Sequence, residues 1–397
     1  MEFSIHHQIL VASFAVALVL GVVMAATRFC TMGGVADWIN VGHKGRLGAW
    51  FVAIAVALAG VLLLEATNLI ALENRALSMF PPYRTAQFAW LRYLLGGLLF
   101  GIGMTLAGGC SSRTLVRIGG GSAKALLVLI VAGVTAYAML WTDFFQKAFL
   151  SWIGKTTINL ARFGVPGQDV GQLVGAATGV SARAAHNAIG FVLVAALSLA
   201  LWRLRDLRTD ARNIVGGVVV GLAIAVGWII TAGPWSAPWA EYADLASEPP
   251  IRIALQSFTF VSPMGDAINF LAKRRFVLLT FGVVSLFGVI VGAAAYALAR
   301  RSFRFEWFAS LSDFSSHVVG AVMMGIGGVL AMGCTIGQGI TGISTLALGS
   351  MLALVSMIAG SAATLKVQYH LSDGNGFLRA LRMAAADLRL LPKSKAA

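Results

Sequence analysis

A long apolar run, Val318 to Met332, ends in the decapeptide Gly333-Cys334-Thr335-Ile336-Gly337-Gln338-Gly339-Ile340-Thr341-Gly342, and a second apolar run follows from Ile343 to Ala363. The decapeptide is rich in glycine and carries no charged residue. Irregular backbone beside helices of bilayer length is tolerated only where it is buried in protein or lines a cavity. We therefore predict a helix break inside the membrane, with Cys334 at its beginning.

The composition indicates an integral membrane protein made of helices. Hydrophobic residues make up 58% of the 397 residues and charged residues 12%, whereas about 25% charged residues is usual in soluble domains. Long continuous apolar runs favour helices over a β-barrel, whose short strands alternate in polarity. We expect an all-α polytopic membrane protein whose nine transmembrane helices lie near residues 6–27, 47–72, 88–107, 119–141, 187–203, 214–233, 276–299, 318–333 and 344–364.

The basic residues predict the orientation of these spans. The chain has 30 Lys and Arg against 16 Asp and Glu, and loops rich in Lys and Arg stay on the cytoplasmic side. With the N-terminus outside and the C-terminus inside, that side receives the connections 28–46, 113–124, 203–212 and 300–304 and the tail. Lys273-Arg274-Arg275 is the exception, which we place at the end of a re-entrant segment. We expect a multi-pass protein of the bacterial inner membrane, whose positive field also attracts anions.

An internal repeat divides the chain. Phe29-Cys30-Thr31-Met32-Gly33 resembles Val261-Ser262-Pro263-Met264-Gly265, and Gly109-Cys110 resembles Gly333-Cys334 at a similar interval. Four spans in each half and one linking span give two inverted, pseudo-symmetric halves, as in many transporters. The predicted units are the N-terminal half 1–186 with an amphipathic surface segment at 142–186, the linking span and basic loop 187–213, the C-terminal half 214–365 and the basic cytoplasmic tail 366–397.

The three cysteines are the candidates for substrate contact. Cys30, Cys110 and Cys334 all lie at Gly-rich breaks, where short re-entrant helices are expected to begin. Buried free cysteine is often only a packing residue, but a neutral thiol also offers an S–H donor and a soft sulfur to an anion. Their number and spacing indicate neither a disulfide framework nor a metal site.

Helix ends and arginines add to this hypothesis. A short helix that begins within the membrane directs unsatisfied N–H groups and its positive dipole end at the cavity, which favours an anion. Arg28 and Arg113 flank two of the cysteines; they serve either as cytoplasmic anchors or as anion-attracting groups. Ser262 takes the place of Cys30 in the second half. We count all of these as translocation residues, and we expect no cofactor.

The sequence contains no motif typical of an ATPase, a serine hydrolase or a nucleic-acid-binding protein. The chain has no phosphate-binding Gly-x-x-x-x-Gly-Lys-Ser/Thr loop, so an ATPase is not indicated. It contains nothing that resembles a Ser-His-Asp arrangement and nothing that suggests nucleic-acid binding. We therefore expect a transport protein and not an enzyme.

Four segments together resemble the YeeE/YedE family of membrane transporters for sulfur compounds. They are Arg28-Phe29-Cys30-Thr31-Met32-Gly33-Gly34-Val35-Ala36-Asp37-Trp38, Gly109-Cys110-Ser111-Ser112-Arg113-Thr114-Leu115-Val116-Arg117, Ser262-Pro263-Met264-Gly265-Asp266 and Gly333-Cys334-Thr335-Ile336-Gly337-Gln338-Gly339. The resemblance implies uptake of thiosulfate or a related sulfur anion, with Cys30, Cys110 and Cys334 as the functional cysteines. It also implies a cytosolic TusA-like sulfur carrier as partner. The segment 142–186 and the tail 366–397 are longer than the family's minimal pattern.

Several mechanisms stay open at this point. The thiols pass an intact anion along by S–H hydrogen bonds, or a membrane sulfurtransferase relays sulfane sulfur to a cytosolic carrier through cysteine persulfides, since thiolates attack sulfur. Relatives linked to selenium metabolism leave a selenium-compound transporter as a further alternative. A scaffold that docks a cytosolic partner through its basic tail is the last.

The orientation is directly testable. We expect a tag at the N-terminus to be accessible from outside the cell and a tag at the C-terminus only from inside, because nine crossings and the positions of Lys and Arg agree on this arrangement. Protease protection or membrane-impermeant labelling of the two tags measures it. Two tags on the same side would contradict the odd number of spans and, with it, the inverted repeat.

Overall fold

The computed structural model describes residues 4–72, 82–245 and 253–388, and these are mostly helical. The helices are α1 (Ile5–Thr27), α2 (Thr31–Val41), α3 (Gly45–Ala66), α4 (Trp90–Leu106), α5 (Ser111–Gly119), α6 (Ala123–Trp141), α7 (Ser151–Ile153), α8 (Val170–Thr178), α9 (Ala182–Arg203), α10 (Arg205–Arg208), α11 (Ala211–Ala232), α12 (Ser236–Leu245), α13 (Val261–Lys273), α14 (Phe281–Ala299), α15 (Leu311–Leu330), α16 (Leu348–Ser372) and α17 (Phe377–Asp387). Two short strands, β1 (Gln87–Phe88) and β2 (Ile158–Asn159), pair antiparallel, with Gln87 opposite Asn159. Short π-helical turns span Gln146–Leu150 and Gly337–Gly342, and 3₁₀ turns span Gly154–Thr156, Leu160–Phe163, Phe276–Leu278 and Ile343–Thr345.

Nine helices of the described chain are long and apolar enough to cross a membrane. They are α1, α3, α4, α6, α9, α11, α14, α15 and α16, which confirms the nine predicted spans. The helix ends differ most in the last two: α15 begins at Leu311 instead of 318, and α16 continues to Ser372 instead of ending at 364. Both extensions contain polar or charged residues, which lower their hydropathy. The apolar runs in the sequence therefore end before the helices do.

The spans of the first half pack mainly against spans of the second half. Helix α1 packs on α14 and α3 packs on α11, while α4 packs on α16 and α6 on α15. In addition α1 contacts α11, and α4 contacts α15. If α1, α3, α4 and α6 correspond to α11, α14, α15 and α16, each of these contacts has a counterpart in the other half. This is the pattern that the internal repeat predicts; the opposite orientation of the halves stays a prediction.

Helices α4 and α15 approach so closely that their backbones touch at glycines. A Cβ atom at Gly327 would lie 2.4 Å from the backbone nitrogen of Phe100, and one at Gly96 would lie 2.4 Å from the backbone nitrogen of Ala331. Small residues allow such close helix packing in membranes. Because α4 leads into Cys110 and α15 leads into Cys334, this contact fixes the two breaks relative to each other.

The segment 142–186 is attached to the chain just beyond the decapeptide. The N–H of Val170 donates to the carbonyl of Leu346, and the N–H of Leu348 donates to the carbonyl of Gln168, both at 3.0 Å. The Gln168 side chain is buried and donates to the hydroxyl of Tyr93 at 3.1 Å. The predicted membrane-surface role of this segment stays a prediction, as do the domain boundaries. Residues 389–397 of the predicted tail lie outside the described residues.

Substitution of Gly327 by Leu tests the close contact between α4 and α15. We expect Gly327→Leu to lower the Tm of the detergent-purified protein clearly, because overpacking costs about 1–3 kcal/mol or more when backbone blocks the new side chain. Gly154→Ala is the matched control, since a Cβ there meets nothing closer than 3.5 Å. A wild-type Tm for Gly327→Leu would contradict the backbone contact.

Candidate functional site

The three cysteines occupy the same local structure. In each break a helix ends, the residue two positions before the cysteine has a positive φ, and the cysteine itself begins the next segment. The positive φ values are 55° at Arg28, 70° at Gly108 and 59° at Met332. The following N–H groups then bond to carbonyls five residues back, in the pairs Phe29–Met24, Gly109–Met104 and Gly333–Gly328. This is the Schellman arrangement of helix C-termini, and it turns the chain so that a buried thiol follows.

Two of the thiols accept a hydrogen bond from the backbone of the segment that they start. The Sγ atom of Cys30 accepts from the N–H of Gly33 at 3.3 Å, at the start of α2. The Sγ atom of Cys334 accepts from the N–H of Gly337 at 3.4 Å. A thiol that accepts on its sulfur keeps its S–H free to donate. Cys110 precedes α5, and its Sγ lies 3.3 Å from the Oγ of Ser112.

Cys110 is the middle one of the three thiols. It lies close to the Cys30 thiol and within electrostatic range of Cys334. Thr335, the neighbour of Cys334 in the chain, lies near the Cys110 thiol, and its buried hydroxyl has no hydrogen-bond partner among the described residues. All three cysteines are free and buried. The thiols therefore form a short series, Cys334–Cys110–Cys30, in the interior of the protein.

A cavity of about 400 Å³, the Thr259 cavity, adjoins the Cys334 end of this series. Its lining includes Tyr83, Arg92, Phe145, Thr259, Ser262 and Asp266. The Oγ1 atom of Thr259 lies 4.0 Å from the Sγ atom of Cys334. Burial raises the pKa of the Tyr83 phenol, and so does its proximity to Cys334. Tyr83 therefore stays a neutral O–H group at physiological pH.

A second cavity of about 390 Å³, the Arg113 cavity, adjoins the Cys30 end. Its lining includes Arg28, Phe29, Arg46, Arg113, Arg117 and Tyr296. Arg46 and Arg113 lie within electrostatic range of the Cys30 thiol. Gly33 makes room for one of them, because a Cβ there would lie 2.7 Å from the Nη1 of Arg46. This end of the thiol series is therefore strongly positive.

Two of the four arginines in the Arg113 cavity are neutralised by carboxylates. Arg46 forms a bidentate pair with Asp37, and Arg117 donates to Glu306 at 2.8 Å. Partial burial alone would raise the pKa of Glu306, but hydrogen bonds from Arg117 and Ser122 hold it below its usual value. Arg28 and Arg113 have no carboxylate partner among residues 4–72, 82–245 and 253–388. They supply the net positive charge of this cavity.

The two cavities lie at opposite ends of the helices. Helix α14 contributes Gly282, near its beginning, to the Thr259 cavity and Ala297, near its end, to the Arg113 cavity. At 1.5 Å per residue the 19-residue helix is about 28 Å long, close to the thickness of the hydrocarbon core. The thiol series thus occupies the space between two cavities on opposite faces.

The site residues predicted from the sequence fall into three groups: the thiol series, the Arg113 cavity and the Thr259 cavity. The structure brings Cys30, Cys110 and Cys334 together, places Arg28 and Arg113 in the Arg113 cavity and places Ser262 in the Thr259 cavity. Ser262 is not the structural equivalent of a cysteine, because Phe260, two residues before it, has a φ of −130°.

Sequence reasoning missed Arg92, Tyr83 and Thr259. A signal for Arg92 existed, because an arginine inside a predicted apolar span marks a functional position. No sequence signal pointed to Tyr83, because it lies in a connection between helices whose conformation depends on how the helices pack. Thr259 lies only three residues before Ser262, in a segment already predicted to be broken.

A buried polar cluster supports the far end of the decapeptide. Arg84 donates to Glu65 at 2.9 Å and to the carbonyl of Thr345 at 3.2 Å. His186 lies 3.0 Å from the carboxylate of Asp169 and 3.2 Å from that of Glu65. Within the described residues no group of three or more His, Cys, Asp or Glu side chains has the arrangement of a metal site. The cluster therefore has the character of a structural network.

Comparison with known proteins agrees with this arrangement. The sequence profile of the family described as sulphur transport matches residues 11–363. The chain belongs to this sulphur transport family. The resemblance to YeeE/YedE proteins is thereby confirmed.

Two relatives of this family member carry the name thiosulfate transporter TsuA. The one from Escherichia coli is 26% identical over 365 residues, which cover 86% of this chain and 89% of the relative. The one from Spirochaeta thermophila is 24% identical over 355 residues, which cover 87% of this chain and 95% of the relative. The range matched by the family profile, residues 11–363, includes all three cysteine breaks.

Proposed function

We propose that this protein carries thiosulfate, or a closely related sulfur-containing anion, across the bacterial inner membrane. The observation that carries the proposal is the series of three buried thiols between two cavities on opposite faces. The family membership supports it, and so do the names of the two relatives. The basic Arg113 cavity is assigned to the cytoplasmic side, because Lys and Arg concentrate there.

The mechanism that we propose is a relay of hydrogen bonds without covalent chemistry. The dianion enters the Thr259 cavity, where hydroxyl groups replace part of its water. It then passes Cys334, Cys110 and Cys30, each of which donates its S–H to the anion. The N-termini of α2 and α5 add the positive end of a helix dipole near Cys30 and Cys110. The unpaired Arg28 and Arg113 then attract the anion into the Arg113 cavity.

Neutral thiols suit this role because they bind weakly. A pathway must offer the ion enough stabilisation to enter and too little to trap it. An arginine in the middle of the series would bind a dianion tightly, whereas an S–H group is a weak donor. The proposal retains the two inverted halves and the cytosolic TusA-like sulfur carrier as predictions.

Uptake into proteoliposomes tests the proposal against the sulfurtransferase alternative. Thiosulfate labelled separately on its two sulfur atoms should deliver both labels to the lumen in equal amounts if the ion passes intact. Delivery of the outer sulfur alone, with the central sulfur left outside, would support a persulfide relay instead. No accumulation of either label would contradict transport altogether.

Removal of single thiols tests the relay itself. We expect Cys110→Ala and Cys334→Ala each to reduce thiosulfate uptake tenfold to a hundredfold without loss of folded protein, because a hydrogen bond to a charged group contributes about 1.5–3 kcal/mol. The measurement is the initial uptake rate in proteoliposomes.

The control for thiol removal is Ser13→Ala. Ser13 is also fully buried in a span, but its hydroxyl bonds locally to the carbonyl of Leu10, so uptake should stay near that of the wild type. Near-normal uptake in both cysteine variants would mean that the thiols are packing residues.

Competition by sulfate tests the selectivity of the thiol series. Sulfate has the same charge and nearly the same shape as thiosulfate, but an oxygen replaces the soft terminal sulfur. Neutral thiols replace the water around that oxygen poorly, and each unsatisfied polar group costs about 1–3 kcal/mol. We therefore expect at least roughly tenfold preference for thiosulfate, so that equimolar unlabelled sulfate barely reduces uptake. Equal competition by sulfate would indicate a generic anion pathway.

A further inference from the structure

Arg92 is a charged residue of the Thr259 cavity to which the thiol series gives no role. It lies in the first turn of α4, and its Nη2 donates to the carbonyl of Val329 at 3.3 Å. Its guanidinium lies over the ring of Phe145, 4.9 Å from the centroid. Its Nε is buried and has no hydrogen-bond partner. Within the described part of the chain, Arg92 forms no ion pair.

Arg92 is partly buried, and a partly buried guanidinium without a counter-ion is costly unless a ligand supplies the missing charge. Removing a charge from water costs several kcal/mol, and an opposite charge with good geometry is needed to offset it. Charged residues inside membrane spans therefore mark substrate pathways by default. Arg92 lines a cavity that adjoins Cys334 through Thr259, so the ligand that fits it is an anion in that cavity.

The surroundings of Arg92 hold its guanidinium in one orientation. The carbonyl of Val329 engages one nitrogen, and the ring of Phe145 covers one face of the planar group. The Nε and the remaining N–H groups have no acceptor in the described chain. Such a fixed fork matches the edge of an oxyanion, to which it donates two parallel hydrogen bonds.

We propose that Arg92 binds the SO₃ end of the substrate anion and so directs its terminal sulfur towards Cys334. Thr259 lines the same cavity, and its hydroxyl lies 4.0 Å from the Cys334 sulfur. The cavity also contains Asp266, but that carboxylate accepts a hydrogen bond from the indole of Trp141 at 3.1 Å. This inference rests on the proposed function, to which it adds a second recognition element.

Recognition at two ends defines the class of substrate. A guanidinium fork selects anions that carry an oxyanion edge, and the thiol selects a soft terminal atom. Sulfate offers only the first feature, and hydrosulfide or hydroselenide offers only the second. Thiosulfate offers both, so its SO₃ group stays at Arg92 while its outer sulfur reaches the first thiol.

Arg92→Gln separates binding from transfer. In proteoliposomes we expect Arg92→Gln to raise the KM for thiosulfate at least about tenfold relative to the wild type and to leave the maximal rate within about twofold, because the lost hydrogen bonds act on the bound anion. Arg92→Lys should fall in between, since an ammonium keeps the charge but not the fork. Arg162→Gln is the matched control: it removes one positive charge from an exposed turn that contributes nothing to either cavity.

Calorimetric binding of thiosulfate to the purified full chain gives an independent measurement. Cys334→Ala should still bind thiosulfate within about tenfold of the wild-type Kd while its uptake rate falls tenfold to a hundredfold, whereas Arg92→Gln should weaken binding at least about tenfold. An unchanged KM and Kd in Arg92→Gln would overturn the role of Arg92. A lower maximal rate with unchanged Kd would overturn it too, because it would show a packing role.

The wild-type protein distinguishes failure of this inference from failure of the proposed function. If the wild type binds thiosulfate, Arg92→Gln binds it more weakly and neither protein takes it up, the Arg92 site is supported and transport is overturned. If the wild type and Arg92→Gln take up thiosulfate with the same KM, transport is supported and the role of Arg92 is overturned. A wild-type protein that neither binds nor transports thiosulfate would overturn both.

Discussion

A backbone that breaks inside a membrane must satisfy its polar groups within the protein, because lipid offers no hydrogen bonds. Three times this chain meets that demand in the same way. A Schellman motif satisfies the last carbonyls of the incoming helix, and a cysteine starts the next segment. At Cys30 and Cys334 the sulfur accepts one of the N–H groups at the start of that segment. The positions of the thiols thus follow from how the backbone hydrogen bonds at the breaks are satisfied. Because the sulfurs of Cys30 and Cys334 act as acceptors there, their S–H groups are not needed for these bonds.

The two cavities differ in the charge that they present to an anion. The Thr259 cavity combines hydroxyl groups with one guanidinium, Arg92, and one carboxylate, Asp266, while the Arg113 cavity has two arginines without carboxylate partners among the described residues. Between them lie the three buried cysteines. Under the proposed function, Arg92 attracts the anion at one end, Arg28 and Arg113 attract it at the other, and the thiols offer weak, soft contacts in the middle. This distribution suits an ion that must lose its water for a short distance and then leave.

Apolar runs and Gly-rich breaks were enough to predict nine spans and the position of the three cysteines at helix breaks, because both depend on local sequence. The pairing of Arg92 with Phe145 and Val329 was not predictable, since it arises where α4, α15 and the chain after α6 meet. The attachment of Gln168 to Leu348 was hidden for the same reason. Ser262 was a good sequence match to Cys30, yet the backbone before it does not turn as it does before a cysteine. The short motif around Ser262 thus predicted a residue that lines a cavity, but it did not predict which residue corresponds to Cys30 in the other half.

The decapeptide that carries Cys334 is held on every side. The amide of Gln338 donates to the carbonyl of Ala331 at 2.6 Å and accepts from the hydroxyl of Ser350, which ties the segment to the end of α15 and the start of α16. Thr341 donates to the carbonyl of Phe258 at 2.8 Å. Farther along, Arg84 holds the carbonyl of Thr345 and is itself held by Glu65. Displacing this backbone would expose several buried polar groups at once, each at a cost of about 1–3 kcal/mol. The proposed movement of an anion past Cys334 is therefore more compatible with rotation of small side chains such as the thiol and Thr259 than with displacement of the break.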